Sequence, residues 1–151
     1  MGLLRDLAAA LEMSESDISR IVQTAPHRYK LFTIPKRNGV DRRVIAQPQR
    51  ALKAMQRHVV AVTLKALRIH PIAMAYRPGK SIADNAAAHA GKRVILKLDF
   101  HDFFHSITPP DFEAVLERAR LDTIAPDERP LLYAILFWLH PLLIGVQLVG
   151  R

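Results

Sequence analysis

Asp99 and Asp102 stand three residues apart in Leu98-Asp99-Phe100-His101-Asp102-Phe103-Phe104, directly after an apolar run. The preceding stretch, Arg93-Val94-Ile95-Leu96-Lys97-Leu98-Asp99, reads as a β-strand by its branched and apolar content. In that strand Asp99 shares a face with Lys97 and Ile95, while Leu96 and Leu98 are expected to point into the core. A carboxylate at the end of a buried strand is costly unless it meets a cation. A magnesium ion meets that need, because it takes oxygen ligands and bridges to substrate phosphates. The same residues also suit a plainer arrangement, with Asp99 capping the next turn and Asp102 solvated, since an isolated D-x-x-D is not specific.

A second group of residues suits anions. Lys36, Arg37, Arg42 and Arg43 flank Asn38-Gly39, a pair that tolerates the positive φ of a tight turn. Cations on a short ribbon can clamp a triphosphate or a nucleic-acid backbone, and they can equally keep a surface hairpin soluble. Gly79-Lys80-Ser81 echoes the end of a phosphate-binding P-loop, but Met74 stands where that loop needs its first glycine. A nucleotide-triphosphatase is therefore excluded. What remains is a glycine turn feeding a helix N-terminus at Ser81, where free N–H groups can hold anions. The seven histidines are scattered without zinc-site spacing, and His101 and His105 flank a Phe-Phe pair rather than lying on a clear helix.

These groups need elements to hold them. Leu3, Leu4, Leu7, Ala8 and Leu11 fall on one face of an N-terminal helix, and Ser14 with Asp17 opens a second helix through Val22. Tyr29 to Ile34 reads as a strand that Pro35 confines to an edge or an end, and Arg42 to Ala46 returns beside it. Residues 49–67 have helical periodicity through Leu52, Met55, Val59 and Leu67. Ser81 and Asp84 form a capping box for an alanine-rich helix to about Ala90, and Thr108-Pro109-Pro110-Asp111 starts another. A last helix opens near Pro126 and runs to about Trp138. Strands separated by helices make an α/β or α+β arrangement.

Composition bounds the partners. At 151 residues, half of them apolar, the chain is one domain in length or a piece of a larger one. Its 22 Lys and Arg against 14 Asp and Glu give +8 and a pI near 10.3, which favours polyanions, nucleic acid first. The absence of cysteine excludes disulfides and thiolate metal sites and fits a reducing cytoplasm. Asp6 interrupts the N-terminal apolar stretch, so no signal peptide is read there. Residues 131–150 carry no charged side chain, but His140-Pro141, Gly145 and Gln147 break that run. A buried helix followed by a separate apolar segment is expected there, rather than a membrane span.

Taken in order, four segments resemble the bacterial retron and group II intron type reverse transcriptases. They are Tyr29 through Pro48 with its Ile34-Pro35-Lys36-Arg37-Asn38-Gly39, then Leu52 to Arg57, then Gly79 to His89, and finally Leu98-Asp99-Phe100-His101-Asp102-Phe103-Phe104-His105-Ser106-Ile107. The resemblance implies an α+β chain: a helical lead-in over residues 1–28, fingers with a β-hairpin over 29–92, and the first strand and helices of a polymerase palm over 93–138. An atypical apolar tail, 139–151, follows. It implies that Asp99 is the first of the aspartates holding two Mg2+ ions, with the Phe100 carbonyl able to approach a metal. Phe104 matches the aromatic that packs under the incoming sugar and disfavours a 2′-hydroxyl. Lys36 and Arg42, or its neighbour Arg43, match the cations gripping the triphosphate of a dNTP. Lys80, Ser81 and Asn85 lie in a region that follows the template strand, and Arg37 joins them as a nucleic-acid contact.

The implied partners are an RNA template, a DNA primer and deoxynucleotides. The chain departs from the family in lacking the Gln-Gly-x-Pro-x-Ser turn and the Tyr-x-Asp-Asp hairpin. A truncated, frameshifted or deliberately cut gene would give such a tail. The expectation is an RNA-directed DNA polymerase fragment that is inert alone, because one aspartate does not hold two metals. A non-catalytic basic nucleic-acid-binding module is the alternative. Missing neighbours for the strand at Asp99 would expose sheet edge and apolar surface, so self-association is also expected.

Overall fold

Local signals account for most of the elements. A computed structural model describes residues 2–37, 39–100, 103–120 and 124–138, with only the backbone of His105. The chain divides into two units, Met1–Ala66 with Arg120–Arg151, and Leu67–Ala119. Mixed helix with a two-stranded sheet makes it α+β in composition.

In the first unit, α1 (Leu3–Leu11) and α2 (Glu15–Gln23) form the expected hairpin. The Ser14 side chain accepts from the Asp17 N–H at 3.1 Å and so supplies one of the bonds the first turn of α2 lacks. The strands β1 (Tyr29–Pro35) and β2 (Arg42–Pro48) pair antiparallel, Tyr29 opposite Pro48 and Pro35 opposite Arg42. Pro35 ends its strand, as a residue without an N–H should. α3 (Arg50–His58) follows, and the periodic stretch does not continue as α-helix to Leu67. It widens into a π-helical turn over Val59–Thr63 and tightens into a 3-10 turn over Leu64–Ala66. Leu52, Met55 and Val59 are nonetheless fully buried, on the face that the periodicity marks. A 3-10 turn at Pro126–Glu128 leads into α7 (Arg129–Leu136).

The core sits where α1, α2, α3 and α7 meet, built from Leu7, Ile18, Ile21, Met55, Leu132 and Ile135 among others. Polar groups tie it at its rim. The Asp6 carboxylate on α1 meets His58 Nε2 on α3 at 2.8 Å, and the Leu3 N–H donates to the Glu128 carboxylate. Gln56 donates to the Tyr29 hydroxyl at 3.1 Å and to the Ile135 carbonyl at 2.9 Å, fastening the base of the hairpin to α3 and α7. The Tyr29 and Trp138 rings lie 5.7 Å apart at the same junction.

The second unit carries α4 (Ile82–His89), the short α5 (Phe103–Ser106) and α6 (Pro109–Ala119). Ser81 and Asp84 complete their capping box, and Thr108 donates to Asp111 at 2.8 Å through its N–H and 2.6 Å through its hydroxyl. Its one buried side chain among the described residues is Leu116. The strand expected over residues 93–99 is not formed. Among the described residues that segment pairs with no other, and Leu96 and Leu98, expected in the core, are each 79% exposed. The reason is non-local: β propensity describes a side chain that fits a pleated sheet, and among the described residues no neighbouring strand supplies the sheet. No helix among the described residues is long and apolar enough to cross a membrane. The tail at 139–151, His101 and Asp102 fall outside the described residues.

Candidate functional site

The hairpin tip gathers cations because of its register. Lys36 donates its N–H to the Asp41 carbonyl at 2.8 Å, carrying the pairing one step past the strands, and Gly39 turns the chain at φ 72°. Directly opposed residues share a face of an antiparallel ribbon. Arg43 lies opposite Ile34, so Arg43 and Ile34 share one face, and Lys36 follows Ile34 by two residues. Those three line one open groove of about 430 Å³, which Pro35 and Arg37 complete at the end of the strand.

Arg42 belongs to the opposite face. There its guanidinium donates to the Thr33 hydroxyl at 2.8 Å and the Thr33 carbonyl at 3.3 Å. Lys36 sits 4.0 Å from Asp41, an exposed pair that water and salt screen strongly. Among the described residues, Arg37 and Arg43 meet no carboxylate. Of the sequence-derived candidates, the structure thus brings Lys36, Arg37 and Arg43 together and sets Arg42 apart. Thr33, which holds Arg42, was missed by sequence reading; the strand register would have found it, since Thr33 and Arg42 share the face through Pro35 and Val44.

In the second unit, Gly79 turns at φ 72° and α4 begins after Ser81. Tyr76, Lys80, Ser81, Ile82 and Asn85 line a shallow pocket there. The N–H groups expected to be free for an anion are partly taken. Asp84 accepts the Ser81 N–H at 2.7 Å, and the Ser81 hydroxyl accepts the Asp84 N–H at 3.2 Å. The Ser81 hydroxyl also donates to the Asp84 carboxylate at 2.5 Å, and this bond first, then the Ser81 N–H and nearby Lys80, hold that carboxyl below the ordinary aspartate range. Lys80 and Asn85 remain exposed.

Asp99 and Phe100 are exposed, and Phe104 is 69% exposed. Phe103 connects the aromatic residues, with ring centroids 6.0 Å from Phe100 and 5.3 Å from Phe104. A divalent ion needs several oxygen ligands converging on one point. Among the described residues no group of three candidate metal ligands occurs, and Asp99 stands as a single exposed carboxylate. The described residues alone therefore do not build a two-metal site.

The hairpin with its cationic groove, the capped helix after Gly79 and the apolar segment ending in Asp99 follow one another along the chain. The family model for reverse transcriptase (RNA-dependent DNA polymerase) matches residues 34–137, and the chain belongs to that family. Among its relatives, the retron Ec83 reverse transcriptase of Escherichia coli is 36% identical over 134 residues, covering 88% of this chain and 42% of the relative. The retron Mx65 reverse transcriptase of Myxococcus xanthus is 43% identical over 108 residues, covering 68% of this chain and 25% of the relative. The retron Mx162 reverse transcriptase of the same organism is 40% identical over 120 residues, covering 76% and 24%. The chain thus spans between a quarter and two-fifths of the length of these retron-type relatives.

Proposed function

We propose that this chain is the nucleotide- and template-gripping front part of a retron-type reverse transcriptase. In this reading residues 1–28 are a helical lead-in, 29–92 the fingers and 93–138 the start of the palm. The observation that carries it is the groove of Lys36, Arg37 and Arg43, lying inside or at the edge of a hairpin that the reverse transcriptase family model covers from residue 34. Lys36 and Arg43 receive the triphosphate of a deoxynucleotide, with Arg42 able to join once it leaves Thr33. Arg37, Lys80, Ser81 and Asn85 follow the RNA template and DNA primer. Phe104 packs under the sugar. Asp99 and the Phe100 carbonyl contribute to a Mg2+ site whose other ligands lie outside the described residues. Phosphoryl transfer asks the protein for positioning and charge neutralisation rather than covalent chemistry, so cations set on a rigid ribbon are a sufficient contribution from this region. A cytoplasmic setting suits a chain without cysteine.

The 151 residues by themselves are expected to bind RNA without extending a primer. A binding module without synthesis is the second reading, favoured by the cationic groove at the hairpin tip, while Asp99 stands as a single carboxylate among the described residues. Primer extension on an RNA template with magnesium and deoxynucleotides, run beside Asp99→Ala, tests the proposal together with a salt titration of RNA binding. Salt-sensitive binding and no synthesis from either protein is the expected result. Synthesis lost in Asp99→Ala would show that the chain is active alone and overturn the inert reading. Absence of any RNA binding would sink both readings.

A further inference from the structure

The helix α3 carries a charge pattern that the hairpin groove leaves unused. In Leu52-Lys53-Ala54-Met55-Gln56-Arg57, Leu52 and Met55 are buried in the core, and Gln56 ties the hairpin to α7. Lys53 and Arg57 do neither. With Arg50 they stand exposed at spacings of three and four residues, which puts them on one face of the helix. Among the described residues, Arg50, Lys53 and Arg57 meet no carboxylate. A solvated helix face usually interleaves both signs, as α2 does where Arg20 pairs with Asp17. No acidic residue occurs between Asp41 and Asp84, so α3 has no such partner along its own stretch. Like charges at this spacing cost helix stability, so the stripe gives the helix nothing.

The stripe selects its partner by charge. From Arg50 to Arg57 the helix rises about 10 Å, over which one strand of a duplex carries about three phosphates. Polypeptide laid over the same face would bury these cations and would have to bring a carboxylate to each. A phosphate backbone neutralises them and releases its counterions. Beside the stripe, Leu11, Met13, Ala51 and Ala54 line a shallow hollow of about 290 Å³ with Arg50 at its rim. A duplex offers such a hollow only phosphates and sugars, whereas a single strand can turn an unstacked base into it. The stripe also lies away from the groove. β2 runs from beside Arg43 to Pro48, just before Arg50, a path of about 17 Å.

We infer that the exposed face of α3 is a second contact for single-stranded RNA, with Arg50, Lys53 and Arg57 on successive phosphates and a base in the hollow beside Met13. The inference rests on the nucleic-acid binding proposed above and adds a surface that the groove does not include.

Binding of a long single-stranded oligoribonucleotide to the whole chain, titrated over salt, tests it. Arg50→Gln, Lys53→Gln and Arg57→Gln combined are expected to lower the slope of log affinity against log salt by about two, at ~0.7 per phosphate of a single strand. Each single change should account for about a third of that drop, so the result does not depend on the triple variant keeping its fold. Arg5→Gln with Arg20→Gln removes cations paired to Glu15 and Asp17 and should leave the slope near that of the parent chain. A duplex of the same length is expected to bind several-fold more weakly. Single-stranded RNA carrying 4-thiouridine should photocrosslink to the tryptic peptide that holds Met13. Lys36→Gln with Arg43→Gln tests the groove alone. Loss of slope in that variant but not in the α3 variants overturns the inference and leaves the polymerase reading standing. Loss in the α3 variants alone supports the inference and counts against the groove. An equal loss per charge in the Arg5 and Arg20 variant assigns binding to the overall charge of +8 rather than to α3 and overturns the inference. Tighter binding of the duplex overturns it as well.

Discussion

At the scale of single residues, the two neighbouring arginines of the hairpin do different work. Arg42 is held by Thr33 on one face, whereas Arg43 lines the groove with Lys36 and Arg37 on the other. The free protein therefore presents Arg43, not Arg42, to an approaching polyanion. Arg43→Ala is expected to weaken oligonucleotide binding several-fold and to lower the dependence of log affinity on log salt by about one phosphate contact. Arg42→Ala should leave the salt slope nearly unchanged and instead loosen the hairpin, since Thr33 loses its partner. Filter binding of both variants at a series of salt concentrations separates the cases. Equal loss of slope in the two would mean that Arg42 leaves Thr33 readily, and that the resting geometry does not set the hierarchy. Sequence alone placed both arginines at the tip, but it could not choose between them. Facing depends on the register of the whole ribbon, and a one-residue slip reverses every side chain.

At the scale of elements, what the sequence made legible is what local chemistry decides. The Ser14, Ser81 and Thr108 caps, the strand end at Pro35 and the turn at Gly39 all depend on contacts within four residues, and each occurs where the sequence puts it. The strand expected at 93–99 is not formed and the helix expected through Leu67 departs from α geometry after His58, because the first needs a neighbour from elsewhere and the second yields to a π-helical turn. His58 pairing with Asp6 lay equally out of reach, as nothing links positions 52 residues apart until α1 and α3 pack. The caps have a measurable consequence. Hydrogen bonds from Ser81 hold the Asp84 carboxyl below the ordinary 3.8, and bonds from Thr108 do the same for Asp111. A carboxyl depressed by folding stabilises its helix above the unfolded value, and that contribution is lost as pH falls through the lower folded value. Helix content is therefore expected to decline below about pH 4 with a component from α4 and α6. Circular dichroism of Asp84→Asn and Asp111→Asn between pH 6 and 2 checks this. The variants should start with less helix and titrate less; an acid profile identical to the parent chain would remove the caps as its cause.

At the scale of the whole molecule, the two units differ in how much apolar surface they bury. Leu7, Ile18, Leu52, Met55, Leu132 and Ile135 are fully buried in the first unit, whereas the second has Leu116 alone among its described residues. Burial of apolar area is the main favourable term in folding, so resistance to local opening should follow that division. The capped helix α4 illustrates the point: its N-terminus carries a complete capping box, yet it buries no side chain. Isolated helices of this length are marginal without tertiary packing, however well capped. Limited trypsin digestion of dilute protein is expected to cut first after Arg68, Lys80, Lys92, Arg93 and Lys97, well before Arg20, Lys53 and Arg57. Mass spectrometry of the early fragments reads the order of cleavage. Early cleavage within α2 or α3 would contradict the assignment of the stable core to the first unit.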